Sequence, residues 1–273
     1  MTAVRKPMGM RLAVPSLRPA ARRIALLVLP LAGILAWQLV VWIARPAPWL
    51  LPAPGAVAET LVGERGRLWF HARATLASAL LGFGLAALAG LALAAGIAAS
   101  RAAERTLYPW IVASQAVPIL AVAPLAAIWL DYGPAQVLVA FLICFFPVVV
   151  TGVDGLRAAD PGLGRTVRTL GATRGWIWRH VTFPAALPAL FSGLKMAAVF
   201  SVTGAVVAEY VGAERGLGYL TEISGGQFET ARSFAAIAWL AVMGVGLFAA
   251  VAGCERLALP HRHHSARPPW RRR

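Results

Sequence analysis

The side chains in this sequence that could do covalent or metal chemistry are few, and their spacing argues against it. His261, His263 and His264 would suit a metal by composition alone, but their Arg- and Pro-rich surroundings read as a solvated segment. Cys144 and Cys254 fall in or beside apolar runs, without CxxC or other metal-ligand spacing, and read as small buried side chains. There is no catalytic triad and no HExxH. The only lysines, Lys6 and Lys195, do not follow the glycine spacing of a phosphate-binding loop. No catalytic residue, no metal ligand and no cofactor of its own are expected.

The polar groups that remain can bind or gate. Ser114 and Gln115 interrupt an apolar run three residues before Pro118. They either meet a polar solute in a pathway or satisfy the carbonyls that the proline frees. Glu209 stands at the edge of another apolar run, where an acid either serves a substrate or gate or simply lies at the interface.

The most specific pattern lies in residues 154–187. Asp160-Pro161 suits a helix N-cap followed by proline at the first turn, and Gly171-Ala172-Thr173 permits a sharp reversal. Arg174 to Val181 reads as a second short helix, and Phe183-Pro184 with Pro188 reads as its stop before the next apolar run. A basic, aromatic hairpin of this kind can dock in a groove of a soluble partner and transmit its motion.

The elements that must hold these residues are apolar runs. The chain is 59% hydrophobic and 14% charged, where a soluble domain carries about 25% charge. A bilayer core about 30 Å thick needs roughly 20 apolar helical residues. Six spans are expected, at about 24–43, 75–99, 107–130, 134–153, 188–208 and 234–253, in an all-α integral membrane protein. The first is too long for a signal-peptide core and lacks a small-residue cleavage site. Pro118 and Pro124 predict a kinked third span, and Lys195 in the fifth is expected to snorkel to the headgroups. Ala86/Gly90 and Ala92/Gly96 form small-xxx-small pairs that allow close helix approach or a dimerisation face.

Charge sets the orientation. The net charge is +15, from 26 Lys and Arg against 11 Asp and Glu. With residues 1–23 placed inside, 19 of the basic residues fall on that side and 6 on the other, with Lys195 in the membrane. The positive-inside rule then places the basic tails 1–23 and 257–273 in the cytoplasm. The excess charge is explained by topology and anionic lipids, and no nucleic acid is expected.

The hairpin also resembles a family motif. Permease subunits of bacterial ATP-binding-cassette (ABC) importers carry E-A-A, three residues, G, nine residues, then I-x-L-P. Here Gly171 is followed after nine residues by Val181-Thr182-Phe183-Pro184, and the E-A-A positions read Arg165-Thr166-Val167. The similarity runs from about residue 68 to 256, through Ser114-Gln115-Ala116-Val117-Pro118, Ala123-Pro124-Leu125, Phe145-Phe146-Pro147 and Glu209-Tyr210-Val211-Gly212. It departs at Asp131-Tyr132-Gly133, where a glycine-rich turn is usual. The chain looks most like the nitrate/sulfonate/taurine branch, and within it the permeases for thiamine-precursor pyrimidines.

The resemblance implies a type I importer permease fold in the bacterial inner membrane, with both termini cytoplasmic. It implies a homodimer, an ABC ATPase subunit carrying ATP and Mg, and a periplasmic or lipid-anchored substrate-binding protein. Arg165, Thr166, Val167, Gly171, Ala172, Thr173, Arg174, Val181, Phe183 and Pro184 are then the ATPase-coupling residues. Ser114, Gln115, Pro118 and Glu209 become candidates for the pathway. The competing readings are a gradient-driven transporter, which should show acids or histidines near the midplane, and a membrane scaffold, which would not require the glycine–proline spacing.

Overall fold

The structure, a computed structural model, describes residues 19–259, so the expectations for the rest of both basic tails and for His261, His263 and His264 lie outside it. Every regular element among the described residues is helical. In order these are α1 (Pro19–Ala44), α2 (Pro54–Gly63), α3 (Arg65–Ala99), α4 (Arg101–Ser114), α5 (Ile119–Leu130), α6 (Tyr132–Arg157), α7 (Pro161–Thr169) and α8 (Arg174–Ile177). A π-helical turn (Trp178–Thr182) leads into α9 (Phe183–Glu209), followed by α10 (Leu217–Gly226) and α11 (Thr230–Ala258).

Four helices are each long and apolar enough to cross a bilayer: α3, α6, α11 and the continuous Arg174–Glu209 rod that contains α9. The helices α4 and α5 reach that length only together and are bent by 90° at the break, while α1 offers the shorter apolar stretch Val28–Ala44. The all-α membrane architecture is as expected, but the third span is sharply broken rather than a kinked rod. Proline explains the break: residues before it are pushed out of α geometry, and its missing N–H ends the hydrogen-bond ladder. Gln115, Ala116 and Val117 donate to Val112, Ala113 and Ser114 in tight three-residue steps, and α5 restarts after Pro118.

The core is a three-helix layer made of small residues. Helices α3 and α6 run parallel in a fixed register, with Ser78 beside Gln136, Gly82 against Ala140, Gly90 against Val148 and Ala94 against Gly152. A methyl group on Gly82 would stand 2.6 Å from the Ala140 Cβ, so the backbones meet there at the closest spacing side chains allow. Helix α9 packs antiparallel on α6, with Gly204 on Ala140, Gly193 on Thr151 and Gly155 on Ala189. Lipid tails are as apolar as leucine, so such helices associate through dispersion contacts that small residues permit. Gly82, Ala86 and Gly90 therefore spend their face inside the protomer, while Gly84 and Gly96 touch nothing. The buried Cys144 thiol donates to the Ala197 carbonyl at 3.0 Å in the same layer, and both cysteines are free.

Charged pairs tie the layer to its surroundings. Arg157 pairs with Glu104 where α6 ends beside α4. Lys195, expected to snorkel, pairs with Glu255 near the end of α11 at 2.7 Å, so its charge has a partner within the bundle. At the other end Arg232 grips Glu64 through two bonds of 2.6 and 2.8 Å and also pairs with Glu229.

Candidate functional site

Residues 158–182 project from the end of the bundle where α6 stops. Asp160 caps α7 by accepting from the Gly162 N–H at 2.7 Å, with Pro161 at the first helical position. The reversal centres on Gly171 at φ +88°, a conformation that costs an L-residue about 1–2 kcal/mol. The Ala172 N–H donates back to Val167 at 3.1 Å and closes the turn. Thr173 then caps α8, its hydroxyl accepting from the Trp176 N–H at 3.3 Å. This is the helix, glycine turn and short helix expected from the sequence.

The expected proline stop is not found. The chain runs from α8 through the π turn directly into α9. In that widened turn the Phe183 N–H reaches back five residues to Trp178, and Pro184 falls in the first turn of α9, where a missing N–H costs little. The second arm of the hairpin is therefore helically continuous with α9. Stacked rings stiffen the join, Trp176 on His180 at 4.6 Å and Trp178 on Phe183 at 5.4 Å between centroids.

Placement of the candidate residues follows from this geometry. Arg165, Thr166 and Val167 lie on α7; Gly171 and Ala172 form the turn; Thr173 and Arg174 open α8; Val181 lies in the π turn; Phe183 and Pro184 begin α9. Arg165, Arg168 and Arg174 line one cleft of about 330 Å³ between α7 and the π turn, floored by Ile177 and Trp178. Leu170 at the hairpin tip is 81% exposed. A basic cleft thus lies beside an exposed apolar tip.

Ser114, Gln115 and Pro118 come together on a cavity of about 530 Å³ at the α4–α5 break, opposite Thr151, Met196 and Thr203. The Ser114 hydroxyl donates to the Ile111 carbonyl at 2.7 Å, so it serves its own helix end, while Gln115 stays exposed. Glu209 does not line this cavity. It is fully buried at the end of α9, where its carboxylate accepts from the Gly218 N–H at 2.7 Å in the first turn of α10. Gly216, at φ +135°, leaves no room for a side chain against that carboxylate. The Gly216 N–H donates to His71 Nδ1 at 3.1 Å and the Leu217 N–H to the Thr75 hydroxyl at 2.8 Å, so α3 completes the capping of α10.

Sequence reading missed a third feature, a polar cavity of about 780 Å³ between α3, α6 and the 212–216 turn, lined by Arg73, Ser78, Gln136 and Arg215 among others. Ser78 and Gln136 were legible as polar residues inside apolar runs, the same signal that marked Ser114 and Gln115.

An all-helical bundle of membrane-length apolar helices with a projecting basic hairpin and cavities between its helices has the form of a polytopic membrane protein. The chain matches the family model described as "Binding-protein-dependent transport system inner membrane component" over residues 73–256, and it belongs to that family. It is 35% identical over 217 residues to the formylaminopyrimidine transport permease protein ThiX of Halalkalibacterium halodurans, covering 79% of this chain and 87% of that one. It is 37% identical to the riboflavin transport system permease protein RibX of Chloroflexus aurantiacus, over 81% and 84% of the two chains. Identity to the taurine transport system permease protein TauC of Escherichia coli is 30%, over 89% and 91%. A solved amino acid ABC transporter chain superposes with a TM-score of 0.60 at 20% identity, covering 72% of this chain and 96% of that one, which shows a shared fold. The protein is an inner-membrane ABC importer permease, a transport component rather than an enzyme, of a class that works with an ATPase and a binding protein.

Proposed function

We propose that this permease receives its energy through the 158–182 hairpin and conducts a small organic solute of the pyrimidine or sulfonate, taurine and nitrate type. The hairpin lies in the cytoplasm and seats its tip, with Leu170 and the arginine cleft, in a groove of a separate ATPase that binds ATP and Mg. Two copies of the chain form a homodimer embedded in anionic lipid, with both termini cytoplasmic. Closure of two ATPase subunits draws the two hairpins together; α9, continuous with its hairpin, carries that motion into the bundle. The cavity at Ser114, Gln115 and Pro118 is part of the solute pathway, and hydrolysis resets it to the inside. Glu209 acts on the pathway only indirectly, by holding α10.

The observation that carries this reading is the unbroken helical join between α8 and α9, because a lever needs a continuous connection to what it moves. The pyrimidine, taurine and sulfonate classes are taken from the relatives' names, and nitrate from the resemblance in sequence. The test is purification of the tagged protein in mild detergent, with mass spectrometry of what accompanies it. A subunit bearing a phosphate-binding loop, present with the natural sequence and lost when residues 165–184 are altered, is the expected result. Its absence under several mild conditions would overturn the coupling role.

A further inference from the structure

The cavity between α3, α6 and the 212–216 turn has the chemistry of a ligand site within one protomer. Its floor is a buried pair, Ser78 and Gln136, each 7% exposed, in which the Ser78 hydroxyl donates to Gln136 Oε1 at 2.8 Å. That bond engages the amide oxygen, and the amide Nε2 makes no hydrogen bond among the described residues and is left as a donor. Two guanidiniums, Arg73 and Arg215, stand at the rim with one acid, Glu214. Arg73 lies 4.9 Å over the Phe70 ring, and Phe70 and Tyr132 supply apolar walls. Donors and positive charge thus outnumber acceptors around a space of a size that small-ligand sites use. Guanidinium groups favour oxyanions with two or more acceptor oxygens.

The rim is also held in place. Arg215 and Glu214 sit on the short turn between α9 and α10, bounded by Gly212 at φ +88° packed against Tyr132 and by Gly216 packed against Glu209. The carboxylate of Glu209, His71 Nδ1 and the Thr75 hydroxyl bind the three consecutive N–H groups after Arg215. A loop fixed so tightly on one side presents its arginine at a set distance from Arg73 on the other.

We propose that this cavity is a receiving site, at the outer end of each protomer, for a small solute bearing a sulfonate- or carboxylate-type oxyanion. Arg73 and Arg215 take the oxyanion, the Gln136 amide orients it, and Glu209 is a positioning residue for Arg215. The inference rests on the orientation and importer role proposed above, and it selects the anionic members of the solute classes over the neutral pyrimidines.

The test is calorimetric titration of the full chain in lipid nanodiscs with ethanesulfonate as probe. Saturable binding is expected, weakened at least ten-fold by Arg73→Gln and by Arg215→Gln and unchanged by Arg45→Gln. Glu209→Ala should weaken it as well, while Glu209→Gln, which keeps an acceptor for the Gly218 N–H, should restore part of it. Absence of saturable binding, or an affinity in both arginine variants equal to that of the natural protein, would overturn the proposal. So would binding of a neutral aminopyrimidine but not of ethanesulfonate. If ethanesulfonate binds in phosphatidylcholine discs but is excluded in phosphatidylglycerol discs, the occupant is a lipid phosphate and the solute assignment fails. Loss of binding-protein capture in the arginine variants without any ethanesulfonate binding would reassign the rim to a protein partner. ATPase co-purification, read on the same Arg215→Gln preparation, should be unchanged; its loss from the natural protein would sink the coupling role alone.

Discussion

Two residues carry conformations that their neighbours cannot supply. Gly171 closes the hairpin at φ +88°, and proline there cannot adopt that angle and would lose the N–H that donates to Arg168 at 3.1 Å. Gly171→Pro is expected to abolish ATPase co-purification while the protein stays in the membrane at normal yield; normal association and uptake would count against the hairpin's role. Asp131, the residue standing where the family's glycine-rich turn is usual, has φ 62° and ψ 167°, a region that favours glycine. Asp131→Gly should therefore stabilise the protein by about 1 kcal/mol, read as a higher melting temperature in detergent. The sequence showed the departure at this site, but only the backbone angles say what it costs.

At the scale of elements, the small-residue stripe on α3 makes the sharpest prediction. Gly90→Leu inserts a side chain where even a methyl would lie 2.8 Å from Val148 Cγ1, so it should destabilise by roughly 1–3 kcal/mol. Gly84→Leu and Gly96→Leu point into open space and should be close to neutral in the same melting assay. Equal effects at all three positions would mean that α3 and α6 do not meet in this register. The spacing of Gly82, Ala86 and Gly90 was visible in the sequence, but it could not tell an internal helix pair from a dimer face. A stripe records what a helix can approach and says nothing of which helix arrives. The same limit applies to the α4–α5 break: the prolines were plain, whereas a bend of 90° depends on what packs on each half.

For the whole molecule, the Glu64–Arg232 bridge ties the start of α3 to the start of α11. The two hydrogen bonds from Arg232, aided by its charge and that of Arg67, hold the Glu64 carboxyl below its ordinary value near 4.5, against a smaller opposing effect of burial. A depressed carboxyl contributes stability that is full above the unfolded value and is lost as pH falls through the folded one. The melting temperature of the natural protein should thus exceed that of Glu64→Gln at pH 6–7, and the difference should shrink progressively as pH falls below about 4.5. A difference that stays constant below about pH 4.5 would show that the bridge acts through shape and not charge.

The sequence by itself determined the solvent, the helical character of the chain and the helix–glycine–helix form of residues 161–177. Apolar length, helix caps and the glycine–proline spacing act over a few turns, and hydrophobicity needs no partner to be read. Tertiary structure decided the rest: that Lys195 meets Glu255 sixty residues away, that Glu209 serves α10 and not the Ser114 cavity, and that Arg73 and Arg215 share one pocket. Each of these depends on helices distant in the chain coming within hydrogen-bond reach, and in a membrane that choice is made by shape and pairing after every helix has already satisfied its own backbone.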